Sequence, residues 1–388
     1  MYKKFYQSFL EAHEEKIHFA AHSHHFWPDI TEQATAQAWK DSAKLSDQKW
    51  NYIFKNVFEK SQQHIADILN LSHPEQIAFA PNTHELLSRL FSCFLDHGKF
   101  KILTTKSEFH SLSRQLKRML ELPHVEAIII DNEQHDFQSN FLENLQTDVD
   151  LIFISHVFYN SGTVLPMSFI KKIQDKKKAE TLFCLDGYHG FCAIPTDLSQ
   201  LEHDIFYLGG GYKYAQAGEG ACFMTIPKNC KLRPVNTGWF ASFETLDNPS
   251  EKVSYSNNGF RFCGATQDMT PWYRFNSVWD QFKKEQIDIP QIHNYIQSLQ
   301  LNFIERIEEK DLFISTDLEK IGHFLTLDLR SYDHALSLYE ELLEQNILTD
   351  FRANRLRFGF GLYLNIEDIE CATNKINVAI KKNSSLAQ

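Results

Sequence analysis

The strongest constraint on this chain is an alternation that begins near residue 75. Short apolar runs occur at Ile77–Ala80, Lys101–Thr104, Ala127–Ile130, Leu151–Ser155, Thr181–Leu185 and Ile205–Leu208. Between them lie amphipathic stretches such as Leu86–Leu95, Leu112–Leu122 and Phe169–Lys177. A run that is apolar throughout, rather than at every second position, belongs to a strand covered on both faces. The pattern therefore predicts an α/β chain with a mostly parallel sheet between helices. With the strand Ala221–Ile226, which follows a turn at Gly218–Gly220, the sheet reaches seven strands.

The character changes after Pro271. A helical region runs to about Glu309, followed by His323–Leu329, the helix Tyr332–Gln345, Arg355–Phe360 and a last helix from Ile366. Strands with helices to one side suggest a small α+β domain. The expected division is an N-terminal arm with helices over 1–70, a large domain over 71–265 and a small domain over 266–388. The length of 388 residues suits two such cores.

Charge and cysteine content exclude several classes. The net charge is −11, and the one dense basic run, Lys171–Lys172 with Lys176–Lys178, reads as a solvated helix face rather than a nucleic-acid patch. No stretch has the length of a membrane span, and Met1–Leu10 lacks the apolar core of a signal peptide. The seven cysteines form no C-x-x-C pair and no zinc spacing. They are expected to be reduced thiols in a cytoplasmic protein.

Sites in open α/β sheets lie beyond the carboxyl ends of the strands, so the residues that close each apolar run carry most information. After Ile77–Ala80 come Asn82, Thr83, His84 and Glu85, a helix cap whose free N–H groups suit a phosphate and which serves equally well as plain structure. Asp186 closes Thr181–Leu185, with His189 three residues on. A carboxylate there needs a partner, either a protonated ring nitrogen or the turn at Gly187. Ser155 closes Leu151–Ser155 and opens a polar loop. Gly209-Gly210-Gly211-Tyr212-Lys213-Tyr214 follows Ile205–Leu208. Three glycines allow the backbone to approach a bulky planar ligand, and a buried lysine there would act as a neutral amine. No phosphate loop G-x-x-x-x-G-K-[ST], no G-x-G-x-x-G and no G-x-S-x-G is present. A lysine and an aspartate at strand ends, with an upstream phosphate cap, match the needs of pyridoxal 5'-phosphate.

The chain resembles kynureninase and its class V aminotransferase relatives. The likeness lies in Leu185-Asp186-Gly187-Tyr188-His189, Gly211 to Gly218, Gly238-Trp239-Phe240, Gly259-Phe260-Arg261-Phe262, Asp350-Phe351-Arg352 and Arg355-Leu356-Arg357-Phe358 with Leu362-Tyr363. It implies the pyridoxal-phosphate fold of aspartate aminotransferase and a homodimer with shared active sites. Lys213 would hold the cofactor as a Schiff base and move protons, and Asp186 would pair with its ring nitrogen. His189 would sit beside the ring, Phe109 would stack on it, and Ser155 and Thr266 would touch the cofactor. Thr83 and His84 would give N–H groups to the phosphate, with Tyr212 and Trp239 reaching it from other sides, Trp239 across the dimer interface. Arg357 would clamp the substrate carboxylate.

Two stretches depart from the kynureninase pattern, both on the substrate side. His22-Ser23-His24-His25 stands where kynureninases have an Asn-Ser-Leu-Gly-like turn, and Cys263-Gly264-Ala265-Thr266-Gln267 lacks the asparagine that reads the substrate's aromatic amine. No fourth ligand stands at metal spacing from the three histidines, so His24 and His25 are expected to wall the substrate pocket and no metal is expected. The function expected is cleavage of an amino-acid side chain, with an aminotransferase as the alternative. A cysteine desulfurase needs a nucleophilic cysteine on a small-residue loop. Cys263 and Cys371 are the candidates for it, and Cys371 falls in the last helix pattern.

Overall fold

The computed structural model describes residues 2–95, 98–245 and 252–386. Its centre is a seven-stranded sheet built from β1 (Ile77–Ala80), β2 (Phe100–Thr105), β3 (Val125–Ile130), β4 (Leu151–Ser155), β5 (Leu182–Asp186), β6 (Ile205–Gly210) and β7 (Cys222–Thr225), in the order β1-β7-β6-β5-β4-β2-β3. β2, β3, β4, β5 and β6 run parallel, and β7 is antiparallel to both of its neighbours, β1 and β6. Every residue of β1, β4, β6 and β7 is buried, as a strand covered on both faces requires. β3 closes one edge, and there Ile129 is 51% exposed.

The chain runs outward from β2 to β3, returns past β2 to β4, and then continues the other way through β5 and β6. This reversal opens a crevice beyond the carboxyl ends of β2 and β4. Helices Thr83–Ser92, His110–Met119, Phe137–Asn144 and Met167–Lys176 carry the connections.

A second, three-stranded antiparallel sheet contains β8 (Phe324–Asp328), β9 (Asp350–Arg352) and β10 (Arg355–Gly359), with β10 in the middle. The N-terminal arm joins this sheet region through a two-residue ladder, Ile17–His18 against Ile347–Leu348, and through a bridge from Ala20 to Gly359. The arm also reaches the turn beyond β6, where the Tyr6 hydroxyl donates to Gln216 Oε1.

One expected helix is two. Thr270–Lys284 and Ile289–Arg306 are separated by a tight turn in which Gln286 takes φ +55°. Asp288 then starts the second helix with a reciprocal capping box to Gln291, and Pro290 sits in its first turn. These are start signals inside an otherwise continuous helical pattern.

Candidate active site

The crevice holds a cavity of about 320 Å³. Its floor comes from strand ends. Ser155 on β4 pairs in register with Asp186 on β5, so the two side chains stand next to each other. Asp186 Oδ1 accepts the Tyr188 N–H at 2.9 Å, and no other hydrogen bond to this carboxylate occurs among the described residues. Burial raises its pKa against the opposing pull of that N–H and of Lys213. A buried, under-partnered carboxylate facing a cavity is suited to a cationic ring nitrogen.

Lys213 lies in the turn after β6 and is 6% exposed. Burial, with Arg357 nearby, lowers its pKa to about 7, while Asp186 and Asp350 act the other way. Its Nζ contacts His189 Nε2. His189 also bonds the backbone of His22, and burial together with Lys213 and Arg357 keeps its ring neutral. The ammonium lies 5.4 Å from the Phe109 ring centroid and 5.3 Å from that of Tyr188. Phe109 and Tyr188 therefore both present a ring face to the amine.

The glycines before Lys213 serve a different end from the one expected. A Cβ on Gly210 would meet the Tyr188 ring at 2.5 Å, and one on Gly209 would meet Phe223 at 2.6 Å. Gly209 and Gly210 make room for the protein's own aromatic side chains. Gly218 and Gly220 take φ +69° and +98°, a conformation that favours glycine, with Trp27 and Pro271 packed against them.

Asn82 caps the helix Thr83–Ser92 by accepting the Glu85 N–H at 3.0 Å. Glu85 does not reach back to the Asn82 N–H to complete a capping box, because its carboxylate accepts Arg89 Nη2 at 2.7 Å instead. The N–H groups of Thr83 and His84 remain at the helix start, where an anion is favoured. Thr83 lines the cavity, whereas the His84 side chain is exposed on its outer side.

Arg357 on β10 enters the cavity from the small sheet and is 2% exposed. Its Nη2 pairs with Asp350 Oδ1 at 2.5 Å and its Nη1 donates to the Tyr159 carbonyl, leaving Nε without a partner. Arg352 Nη1 also lies 3.1 Å from Asp350 Oδ1, and Ser23 donates to the other carboxylate oxygen.

Lys213, Asp186, His189, Thr83, Phe109, Ser155, Tyr212, His24 and Arg357 thus share one cavity. His24 and Tyr212 meet edge to face, with ring centroids 5.4 Å apart. Besides the His84 side chain, three other candidates stand off it in this chain. His25 is buried against Tyr363, its Nδ1 bonded to the Phe26 carbonyl at 2.6 Å. Trp239 packs on Phe240 and Phe243 and is 42% exposed. Thr266 is exposed.

Sequence reasoning missed Glu108. It is fully sequestered beside the floor, accepting Ser155 Oγ at 2.5 Å and Thr105 Oγ1 at 2.6 Å. Burial pushes its carboxyl up to about 8, although these hydrogen bonds pull it down. Potential metal ligands cluster elsewhere among the described residues, at His73, Glu202 and His203. There Lys228 Nζ already lies 3.0 Å from His73 Nε2.

The chain matches the Aminotransferase class-V family over residues 32–350. It belongs to that family. A kynureninase of Shouchella clausii is 27% identical over 202 residues, 50% of this chain and 46% of that protein. The mitochondrial cysteine desulfurase of Candida albicans is 24% identical over 46% of this chain and 37% of that protein. The matched region is thus less than half the length of either relative. The cysteine desulfurase IscS of Vibrio vulnificus is 22% identical over 86% of this chain and 84% of its own length. Among solved structures, a mutant of the cystine C-S lyase C-DES, with glycine covalently linked to its pyridoxal-phosphate cofactor, superposes with a TM-score of 0.82 at 17% identity. It covers 95% of this chain and 98% of that one. The cysteine desulfurase of Thermococcus onnurineus gives 0.80. The fold is the type I pyridoxal-phosphate fold, and this class V chain is a pyridoxal-phosphate-dependent enzyme. Among the described residues no helix is long and apolar enough to cross a membrane.

Proposed function

We propose that this class V enzyme cleaves a bond in the side chain of an amino acid, as a kynureninase-like hydrolase or lyase. The observation that carries the reading is the near-neutral Lys213 amine, set against His189, with Asp186 on the floor and Arg357 across the cavity. Pyridoxal phosphate supplies an electron-withdrawing ring that stabilises negative charge on the substrate's α-carbon. Asp186 would hold the ring nitrogen in its protonated form. Lys213 Nζ would hold the cofactor, and as a free amine beside the substrate it would take the α-proton, a task suited to a group whose pKa lies near neutrality. His189, held neutral by burial, would keep that amine in place without adding charge. Arg357 would orient the substrate through its carboxylate, held for this by Asp350 and the Tyr159 carbonyl. In the homodimer implied by the resemblance, Trp239 would serve the partner's site.

The desulfurase relatives motivate the competing reading. Sulfur transfer of that kind needs a thiolate at the site. Cys222 lines the cavity, but burial pushes its thiol up to about 12, and it sits 3.5 Å from the Tyr188 hydroxyl. Cys263 is buried and raised to about 11. Cys371 is exposed on the final helix.

The test is spectroscopic. The purified protein loaded with pyridoxal phosphate is titrated with kynurenine, hydroxykynurenine, cysteine and cystine, with and without a keto acid. A spectral change and product release with an aromatic or sulfur-bearing amino acid, independent of keto acid, supports side-chain cleavage. Turnover that requires a keto acid replaces it with transamination. Unchanged spectra with both kynurenines remove kynureninase proper.

A further inference from the structure

The least explained polar group in the molecule is His22. It is completely buried, and neither ring nitrogen has a hydrogen-bond partner. Polar groups in that state are rare in folded proteins and call for a reason. The position is also where the chain departs from the kynureninase pattern.

The fold makes a seat for this ring. It stacks on Phe324, with centroids 4.7 Å apart and planes at 21°. A Cβ on Gly359 would lie 2.2 Å from His22 Nδ1, so the glycine leaves space for that edge of the imidazole. Nδ1 is thereby packed at the open face of the glycine, which leaves Nε2 as the nitrogen a ligand would meet. His22 is among the residues that line the cavity.

Arg357 shares the corner. Its guanidinium carbon lies 5.9 Å from the same Phe324 ring. Its Nε–H is the second buried donor without a partner in this corner. Burial, followed by the charge of Arg357, holds the His22 ring neutral. A neutral imidazole still has one N–H to give. Two orphaned donors, one cationic and one neutral, on one aromatic platform suit an anion with two acceptor oxygens.

We propose that His22 donates a hydrogen bond to the substrate's α-carboxylate beside Arg357, so that the pocket selects α-amino acids over simple amines. This rests on the reading of the cavity as an amino-acid site. The bond costs the empty protein a sequestered donor and is recovered when the carboxylate arrives. His22 is here a substrate-binding residue, not a proton carrier.

The test uses the full chain loaded with pyridoxal phosphate, titrated with L-alanine and with ethylamine, which lacks the carboxylate. Wild type is compared with His22→Phe, which keeps the stacking, and His22→Asn, which keeps a donor. Borohydride reduction first establishes that the cofactor is covalently held. If it is not, the amino-acid reading itself fails before any variant is compared, and this proposal falls with it. With the cofactor in place, His22→Phe is expected to bind L-alanine about tenfold or more weakly, as loss of a charge-assisted bond implies. Ethylamine binding should stay within about twofold, and His22→Asn should lie between for L-alanine. The thermal midpoint of the cofactor-free His22→Phe protein should be equal to or above wild type, because an unpartnered donor has been removed. Equal affinity of wild type and His22→Phe for L-alanine overturns the proposal. So does a parallel loss for both ligands with a lowered midpoint, which would assign the ring to packing alone.

Discussion

Glu108 and Ser155 lie 47 residues apart in sequence and share two hydrogen bonds: the Ser155 hydroxyl reaches Glu108 Oε2 at 2.5 Å and the Ser155 N–H reaches Oε1 at 3.2 Å. The carboxyl lies beside the floor on which Asp186 stands, and Asp186 adds to the rise of its pKa. Its folded pKa, about 8, lies above the ordinary 4.5. The folded state therefore holds a proton that the unfolded chain releases. Stability is fullest below about pH 4.5 and falls as pH rises towards 8. The whole span is worth on the order of 4–5 kcal/mol. Glu108→Gln should flatten this slope. Denaturant midpoints at pH 5.5 and pH 8.5 check it, and a variant that keeps the wild-type difference between the two would show that Glu108 is not its source.

Why this pair was invisible in the sequence is a matter of topology. Glu108-Phe109-His110-Ser111 reads as a polar helix start, and nothing local marks Glu108 as buried. It becomes so only because β2 and β4 are neighbours while β3 lies at the edge. Asp186 and Lys213 were legible for the opposite reason. Each ends a short apolar run, and strand ends on one side of a parallel sheet must converge. Asp350 belongs to a stretch that carries the resemblance, but its bond from Ser23 was not legible, because the two meet only when the arm folds against the small sheet. Among the arm histidines, His24 does wall the cavity, but His25 turns into the core and His22 takes the inner place. Side-chain direction at a turn cannot be read from spacing.

Lys213→Ala should abolish covalent capture of pyridoxal phosphate by borohydride and, with it, turnover. The lysine's lowered pKa, about 7 against 10.5, also predicts a stability effect in the cofactor-free protein. A group whose folded pKa is depressed opposes protonation, so this protein loses stability as pH falls from about 10.5 towards 7. The alanine variant should lose less over that range. Mass spectrometry after reduction reads the first effect and thermal melts at pH 7 and pH 9.5 read the second. A trapped adduct in the variant would assign the anchor to another lysine.

Arg357→Ala should weaken binding of α-amino acids by about 2–5 kcal/mol, the range for one partner of a desolvated, hydrogen-bonded charge pair. Asp350 keeps Arg352 as a partner, 3.1 Å away, which limits the damage to the fold. The cofactor band should be unchanged. Spectral titration gives the affinity, and a loss that is equal for an amine without a carboxylate would remove the clamp.

Gly359→Ala places a methyl group 2.2 Å from His22 Nδ1 and 2.8 Å from the His22 backbone nitrogen. The ring can shift, but the His22 backbone nitrogen cannot easily give way. Overpacking of this kind costs about 1–3 kcal/mol. The variant should melt at a lower temperature, and combining it with His22→Ala should recover only part of the loss, because the backbone clash remains. Full recovery in the double variant would mean that the ring alone fills the space.

Incubation with L-cysteine should leave no persulfide on the protein. The cavity thiol, Cys222, has its pKa pushed up to about 12, so at neutral pH roughly one molecule in 10⁵ carries the thiolate that sulfur transfer needs. Its hydrogen-bond partners are the Tyr188 hydroxyl and the Thr83 backbone, and both are uncharged. Cys184 in β5 and Cys192 in the turn beyond it are also raised well above the ordinary thiol value by burial. Intact-mass analysis before and after thiol alkylation detects a sulfur adduct directly. Its appearance on Cys222 would move the chain from side-chain cleavage to the desulfurase branch of the family, with the fold and the cofactor anchor unaffected.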